Sequence, residues 1–276
     1  MSPNLQHDSQ SAPHPQEKTW WGEYKFLLNQ SHAWRLGPLY FRLIRREKDW
    51  LVEYHRLHKH SEMRNDWLIL EQEIPIPHPS KFERFMFNRS KEKFFLMPRL
   101  ADRGVVIKPV QPIHIPAGQR ATLFISTPLW LAGFVENQKT PIFDFPVFQS
   151  KDTWFGMNYQ EGQMCYATQV DGTTNLNELD INPFRAVTPI HFYNDSPQQM
   201  RLERINVPAP SLPLFYSEST GRLWTSEIKV HQSEFDKPPR IRIESRTPPM
   251  AEQVSFIQPA RSDSSGFISN MFESMF

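Results

Sequence analysis

Apolar and polar residues alternate along much of this chain with a period of two. The clearest stretch lies between Gly104 and Val135. Within it Ala121, Leu123 and Ile125 fall on one face and Thr122, Phe124 and Ser126 on the other, while Pro109, Pro112, Pro116-Ala117-Gly118 and Pro128 punctuate the runs. Alternation broken by turn chemistry predicts the strands of a sandwich. The same style predicts strands at Tyr24–Leu28, Trp34–Leu36, Leu39–Ile44 and Trp50–Tyr54, with a solvated Arg45-Arg46-Glu47-Lys48-Asp49 turn closing the last two into a hairpin. Phe82–Phe87 and Phe94–Met97 read as a second hairpin, and Met63–Glu73 fits a short helix or a strand that Pro75, Pro77 and Pro79 end. Further strands are expected at Ile142–Phe148, Met164–Thr168, Val187–Tyr193, Met200–Val207, Leu214–Tyr216, Leu223–Val230 and Arg240–Glu244.

The fold class that follows is mostly β, with two consecutive antiparallel sandwich-like blocks over 19–150 and 151–250. Residues 1–18 are polar and Pro-rich without periodicity, as in a disordered leader. Residues 251–276 read as a tether followed by a short amphipathic helix. There Phe267, Ile268, Met271, Phe272, Met275 and Phe276 recur at helical spacing. The 25 prolines against 10 glycines leave few other windows for a helix, because proline removes a backbone donor and clashes with the preceding turn.

Composition narrows the function classes. A net charge of +1 with scattered Lys and Arg leaves no electrostatic footprint for nucleic acid or an anionic membrane surface. The longest apolar run, Leu129–Val135, is far short of a bilayer span, and the polar N-terminus lacks the apolar centre of a secretory signal. A cytoplasmic location is the expectation. The single cysteine, Cys165, excludes an internal disulfide and an all-thiolate metal site.

Several segments taken together resemble the domain of unknown function 432 family of archaeal and bacterial proteins. They are Trp34-Arg35-Leu36-Gly37-Pro38-Leu39, Ser126-Thr127-Pro128-Leu129-Trp130, Asp152-Thr153-Trp154-Phe155-Gly156, Glu161-Gly162-Gln163-Met164-Cys165-Tyr166, Asn182-Pro183-Phe184-Arg185 and Gly221-Arg222-Leu223-Trp224-Thr225. The resemblance covers about residues 20–250 and no one segment is specific by itself. It implies a β-rich intracellular protein, and it supplies no catalytic residues and no cofactor. It also implies an association with small-conductance mechanosensitive channels, beside whose genes the family's genes often lie.

Candidate chemistry is sparse. No Gly-x-Ser-x-Gly elbow, phosphate loop or His-Glu-x-x-His is present. His55, His58 and His60 are the nearest approach to a metal cluster, but Arg56 and Lys59 interleave them and oppose a dication, so no metal site is expected. Cys165, between Met164 and Tyr166, reads as a small core hydrophobe. The Asp152–Gly162 connector is the most suggestive irregular stretch. Asp152, Trp154, Asn158 and Glu161 could line a small-ligand or enzymatic site at the junction of the blocks, or Trp154 and Phe155 could plug the seam between them. The leading expectation is a non-enzymatic interaction protein that docks an unknown protein partner through the C-terminal helix or a sheet edge. The helix could equally dock on its own β domain.

Overall fold

In Leu39–Arg45 every second side chain is buried and the intervening ones are half-exposed; Lys93–Arg99 has the same period in the opposite phase. A pleated strand with one face on a core must show this pattern. The computed structural model describes residues 19–57, 65–70, 75–109, 111–156, 162–168, 172–234, 239–244, 246–261 and 272–273. The leader 1–18, His58 and His60 lie outside them.

The strands of the first part are β1 (Gly22–Lys25), β2 (Ser31–Leu36), β3 (Leu39–Arg45), β4 (Asp49–Arg56), β5 (Trp67–Leu70), β6 (Lys81–Met86), β7 (Lys93–Arg99), β8 (Val105–Ile107), β9 (Ile113–Ile115), β10 (Arg120–Pro128), β11 (Trp130–Val135) and β12 (Phe143–Pro146). Then follow β13 (Lys151–Phe155), β14 (Gln163–Thr168), β15 (Arg185–Asn194), β16 (Met200–Leu202), β17 (Arg204–Val207), β18 (Leu214–Ser217), β19 (Arg222–Thr225), β20 (Ile228–Gln232), β21 (Arg240–Ile243), β22 (Val254–Gln258) and β23 (Phe272–Glu273). Single 3-10 turns at Leu176–Glu178 and Ala209–Ser211 are the helical elements among the described residues. The protein is mostly β.

Two cores result. Sheet β5-β2-β3-β4-β6 packs with sheet β1-β7-β11-β12 around Trp20, Phe26, Trp34, Phe41, Trp50, Phe94 and Phe143. Ring contacts within it include Trp34 stacked on Phe41 at 4.8 Å and Phe26 edge-on to Trp50 at 4.9 Å. The second core joins sheet β21-β20-β15-β19-β18-β22, with β10 along the other side of β15, to sheet β13-β14-β8-β17-β23 and the small β16-β9 pair. Val105, Ile107, Ile125, Ile190, Phe192, Ile205, Val207 and Val230 fill it.

The blocks are not consecutive. β10 runs antiparallel along β15 from Arg120↔Tyr193 to Pro128↔Arg185, and β8 pairs with β14 and β17. The chain thus enters the second core near Leu100, returns to the first through β11 and β12, and leaves again at β13. Phe184 in turn inserts into the first core, and the Trp20 indole donates to the Pro183 carbonyl at 2.9 Å. Nor is pairing antiparallel throughout, since β14–β8, β15–β19 and β15–β20 are parallel. Alternation defines the faces of a strand but not its neighbour, and these neighbours are distant in sequence.

Other departures have local causes. β6 and β7 form no hairpin: β6 pairs with β4, whereas β7 pairs with β1 and β11 in the opposing sheet. Trp67–Leu70, within the ambiguous Met63–Glu73 segment, is a strand paired with β2. The β3–β4 turn is solvated only at its tip. Arg45 is buried and donates to the Phe26 and Ser90 carbonyls and to Ser90 Oγ, while buried Asp49 takes the Arg84 guanidinium.

Among the described residues the C-terminal helix is not found. Phe272 and Glu273 are extended and pair with Ile205 and Arg204 at the edge of the β17 sheet. An isolated short helix is marginal in water, whereas an open sheet edge supplies backbone partners directly. Phe267, Ile268, Met271, Met275 and Phe276 lie outside the described residues.

Candidate functional site

The predicted junction connector is largely strand. Lys151–Phe155 and Gln163–Thr168 pair antiparallel as β13 and β14, with Asp152 opposite Tyr166, Thr153 opposite Cys165 and Trp154 opposite Met164. Asn158 and Glu161 lie outside the described residues. Period two puts Asp152, Trp154, Met164 and Tyr166 on one face and Thr153, Phe155 and Cys165 on the other. Adjacent Trp154 and Phe155 therefore point to opposite sides.

Trp154 and Phe155 have packing roles. The Trp154 ring lies over Gly162, where a Cβ would sit 2.2 Å from Nε1 and 2.4 Å from Cε2, so only glycine fits beneath it. Phe155 is fully buried with Val106 and Cys165, and the Arg204 guanidinium lies 5.2 Å from its ring centroid. Arg204 Nη2 also donates to the Trp154 carbonyl at 2.6 Å. Asp152 turns to Arg103 at 3.6 Å on the exposed rim. Burial pushes the Cys165 thiol up to about 11, which keeps it protonated and a poor nucleophile at neutral pH. Burial first, then the hydrogen bond to Asp102, pushes the Tyr166 phenol up to about 12. Phe155 thus fills a face of the β13-β14-β8-β17 sheet rather than a seam between two blocks.

His55 stands at the end of β4 with Nδ1 2.7 Å from the Pro79 carbonyl. Among the described residues no three His, Cys, Asp or Glu side chains gather as metal ligands, and no helix is long and apolar enough to cross a membrane.

The surface that stands out is the β6 edge. β6 pairs with β4 on one side and is, with β5, one of the two outermost strands of its sheet among the described residues. Glu83 and Phe85 face inward: the Tyr54 hydroxyl donates to Glu83 Oε1 at 3.0 Å, and Phe85 lies 6.4 Å from Phe143. Burial and then Glu83 raise the Tyr54 phenol above its usual range. On the other face Phe82 is 59% exposed and Met86 63% exposed, with Arg84 between them held to Asp49. Leu27 and Leu28 are also exposed. Their turn is tied to Arg45 by an Asn29 N–H bond of 2.9 Å, at the end of the sheet where Met86 opposes Asp49.

A family model described as "Protein of unknown function (DUF432)" matches residues 20–275, from the first core to beyond β23. The chain belongs to the DUF432 family. No curated protein and no solved structure matches it.

For this DUF432 protein, sequence reasoning found Trp154 and Phe155 as large aromatics of consequence but assigned them to a loop. It missed the β6 edge. Phe82 and Phe85 look equivalent in KFERFM, and only pairing with β4 decides that Phe85 turns in and Phe82 out. The residues that stand together at that edge offer backbone hydrogen bonds and apolar contact, which is the chemistry of strand addition.

Proposed function

We propose that this DUF432 protein is a non-enzymatic, cytoplasmic interaction protein that receives a strand of a protein partner along β6. The observation that carries the reading is the pairing of an outermost strand with two large exposed apolar side chains, Phe82 and Met86, on one face. Folded proteins usually blunt such edges. Lys81, Glu83 and Arg84 supply enough charge to disfavour indiscriminate pairing and to set register with a chosen partner. The channel association implied by the family resemblance makes the cytoplasmic side of a small-conductance mechanosensitive channel the concrete partner. Phe272, once expected to anchor a partner, lies on a strand paired with β17 of its own chain.

The test compares full-length wild type with the Phe82→Glu/Met86→Glu variant in pull-downs from native membranes and cytosol. A partner retained by wild type and lost by the variant, with melting unchanged, supports the edge; equal retention refutes it. Truncation after Arg261 should keep the partner, and loss on truncation alone would return the docking role to the tail.

A further inference from the structure

Three segments that are distant in sequence converge where β10, β15 and β19 lie side by side. Ser126 comes from β10, Asn182 from the approach to β15, Arg185 from its first position, and Arg222 from the start of β19. β15 and β19 are parallel, with Ala186 opposite Leu223, so Arg185 and Arg222 occupy neighbouring register positions. Gly221, at φ +66°, makes the tight turn that delivers Arg222, and its N–H bonds the Ser217 carbonyl at 2.9 Å.

Neither guanidinium is used up by the fold. Arg185 Nη1 donates to the Ser126 carbonyl at 3.1 Å, and its plane lies 4.9 Å from the Phe148 ring centroid. No carboxylate lies within ion-pair distance of it among the described residues. Burial alone pulls it down to about 10, so it remains a cation at neutral pH with little compensation. Arg222 Nη2 donates to the Leu179 carbonyl at 2.7 Å. Its Nη1 is buried with no protein acceptor among the described residues. Asn182 is already committed, its Oδ1 accepting from the Phe184 N–H at 2.9 Å and its Nδ2 donating to Asn65 at 3.0 Å, so it shapes the wall. Among the described residues Asp180 is the one carboxylate on the lining; it is exposed and acts on Arg222 through charge without an ion pair. The cavity between these groups is about 10 Å³, room for a single water-sized group.

From this geometry we infer that Arg185 and Arg222 form a binding site for a small phosphate, which inserts one oxygen between the two guanidinium forks. Two cations in neighbouring register match a dianion, the unpaired Arg222 Nη1 can donate to the inserted oxygen, and the narrow cavity admits an oxygen but not a ring. Free phosphate and the terminal phosphate of a small metabolite present the same chemistry. The site is independent of the β6 edge.

Full-length protein is titrated with inorganic phosphate by calorimetry and thermal melting, at ionic strength held constant with sodium chloride. The expected result is a saturable heat and a rise in melting temperature that chloride does not give. Arg222→Gln should weaken phosphate binding by about ten-fold or more, the worth of charge-assisted hydrogen bonds to an anion. Asp180→Asn should tighten it by about two- to five-fold, since one exposed repulsive charge is removed; a purely structural role for the arginines predicts no such gain. Glycerol phosphate binding tighter than inorganic phosphate assigns the site to a phosphate ester, and the reverse order assigns it to the free ion. A phosphate response no larger than that of chloride in the wild type overturns the proposal, as does one that Asp180→Asn leaves unaltered.

Discussion

Truncating Phe155 tests whether the β13–β14 hairpin is a packed element or a binding surface. Its side chain is wholly shielded from solvent, bounded by Val106 and Cys165 and capped by Arg204. Phe155→Ala deletes a ring from a closed space. Such truncations cost about 3–5 kcal/mol, with transfer and cavity terms combined. Loss of the Arg204 contact adds about 0.5–1 kcal/mol. Trp154→Ala removes a larger ring, but one that is only half-buried and lies over Gly162 at the rim. Water can refill that space, so its cost should be about 1.5–2.5 kcal/mol, below the range for closed core sites. Urea unfolding followed by far-UV circular dichroism measures both. With a slope of about 2–3 kcal/mol per molar, Phe155→Ala should lower the midpoint by roughly 1–2 M. Phe155→Leu, which keeps most of the volume, should recover the larger part. A Phe155→Ala cost under about 1 kcal/mol, or one smaller than that of Trp154→Ala, would show that the hairpin is not held by this packing.

Gly133 lies where a Cβ would come within 2.4 Å of the Phe143 ring and 2.8 Å of Phe94; Gly133→Ala should cost about 2–3 kcal/mol by overpacking, and an unchanged urea midpoint would contradict that. Asp144 takes Arg99 at 2.7 Å and both terminal nitrogens of Arg261, at 2.5 and 2.9 Å, tying the segment after β22 to the first core. Asp144→Ala leaves two facing guanidinium groups and should cost about 2 kcal/mol, less than for a fully buried pair because all three side chains are slightly exposed; equal melting of the variant and wild type would count against the latch. The Cys165 thiol rises from its ordinary 9.0 to about 11 on folding, so the unfolded chain ionises first. The thiol's contribution to stability is then level below pH 9 and falls between about 9 and about 11; a titration of unfolding free energy in which Cys165→Ala does not lessen that fall would refute the assignment. The thiol should also resist a disulfide reagent at pH 8 until urea unfolds the protein, and rapid native labelling would place it at the surface.

Local pattern carried the strand assignments. Leu39–Arg45 and Lys93–Arg99 alternate because each has one face on a core, and side chains two apart share a face whatever else the chain does. Pro38 and Pro116 likewise lie in turns where strands end, whereas Pro98 and Pro189 sit within the paired strands β7 and β15. By contrast, Ala121–Ser126 announced a two-faced strand without announcing that its partner was β15, across some sixty intervening residues. Pairing distant segments depends on loop closure and on which apolar faces are left to cover, neither of which is written in a window of ten residues.

The candidate surfaces divide in the same way. That Trp154 and Phe155 sit on opposite faces was implicit once they were known to be in a strand, but the glycines around them argued for a loop. Phe82 became an exposed edge residue, and Phe85 a half-buried one packed on the first core, only when β6 settled against β4. Arg45 and Asp49 belong to a run of charges that sequence alone reads as solvated. Tertiary structure brought the Phe26 and Ser90 carbonyls to one and Arg84 to the other. The helical spacing of Phe267–Phe276 predicts a helix, yet Phe272 is extended and pairs with a sheet edge. The sequence by itself therefore determined that the chain is built of strands, and where most of them run. Which strands are neighbours, which charges are buried and which apolar side chains remain at the surface were decided by the tertiary structure, because those outcomes depend on contacts between residues that meet only in the fold.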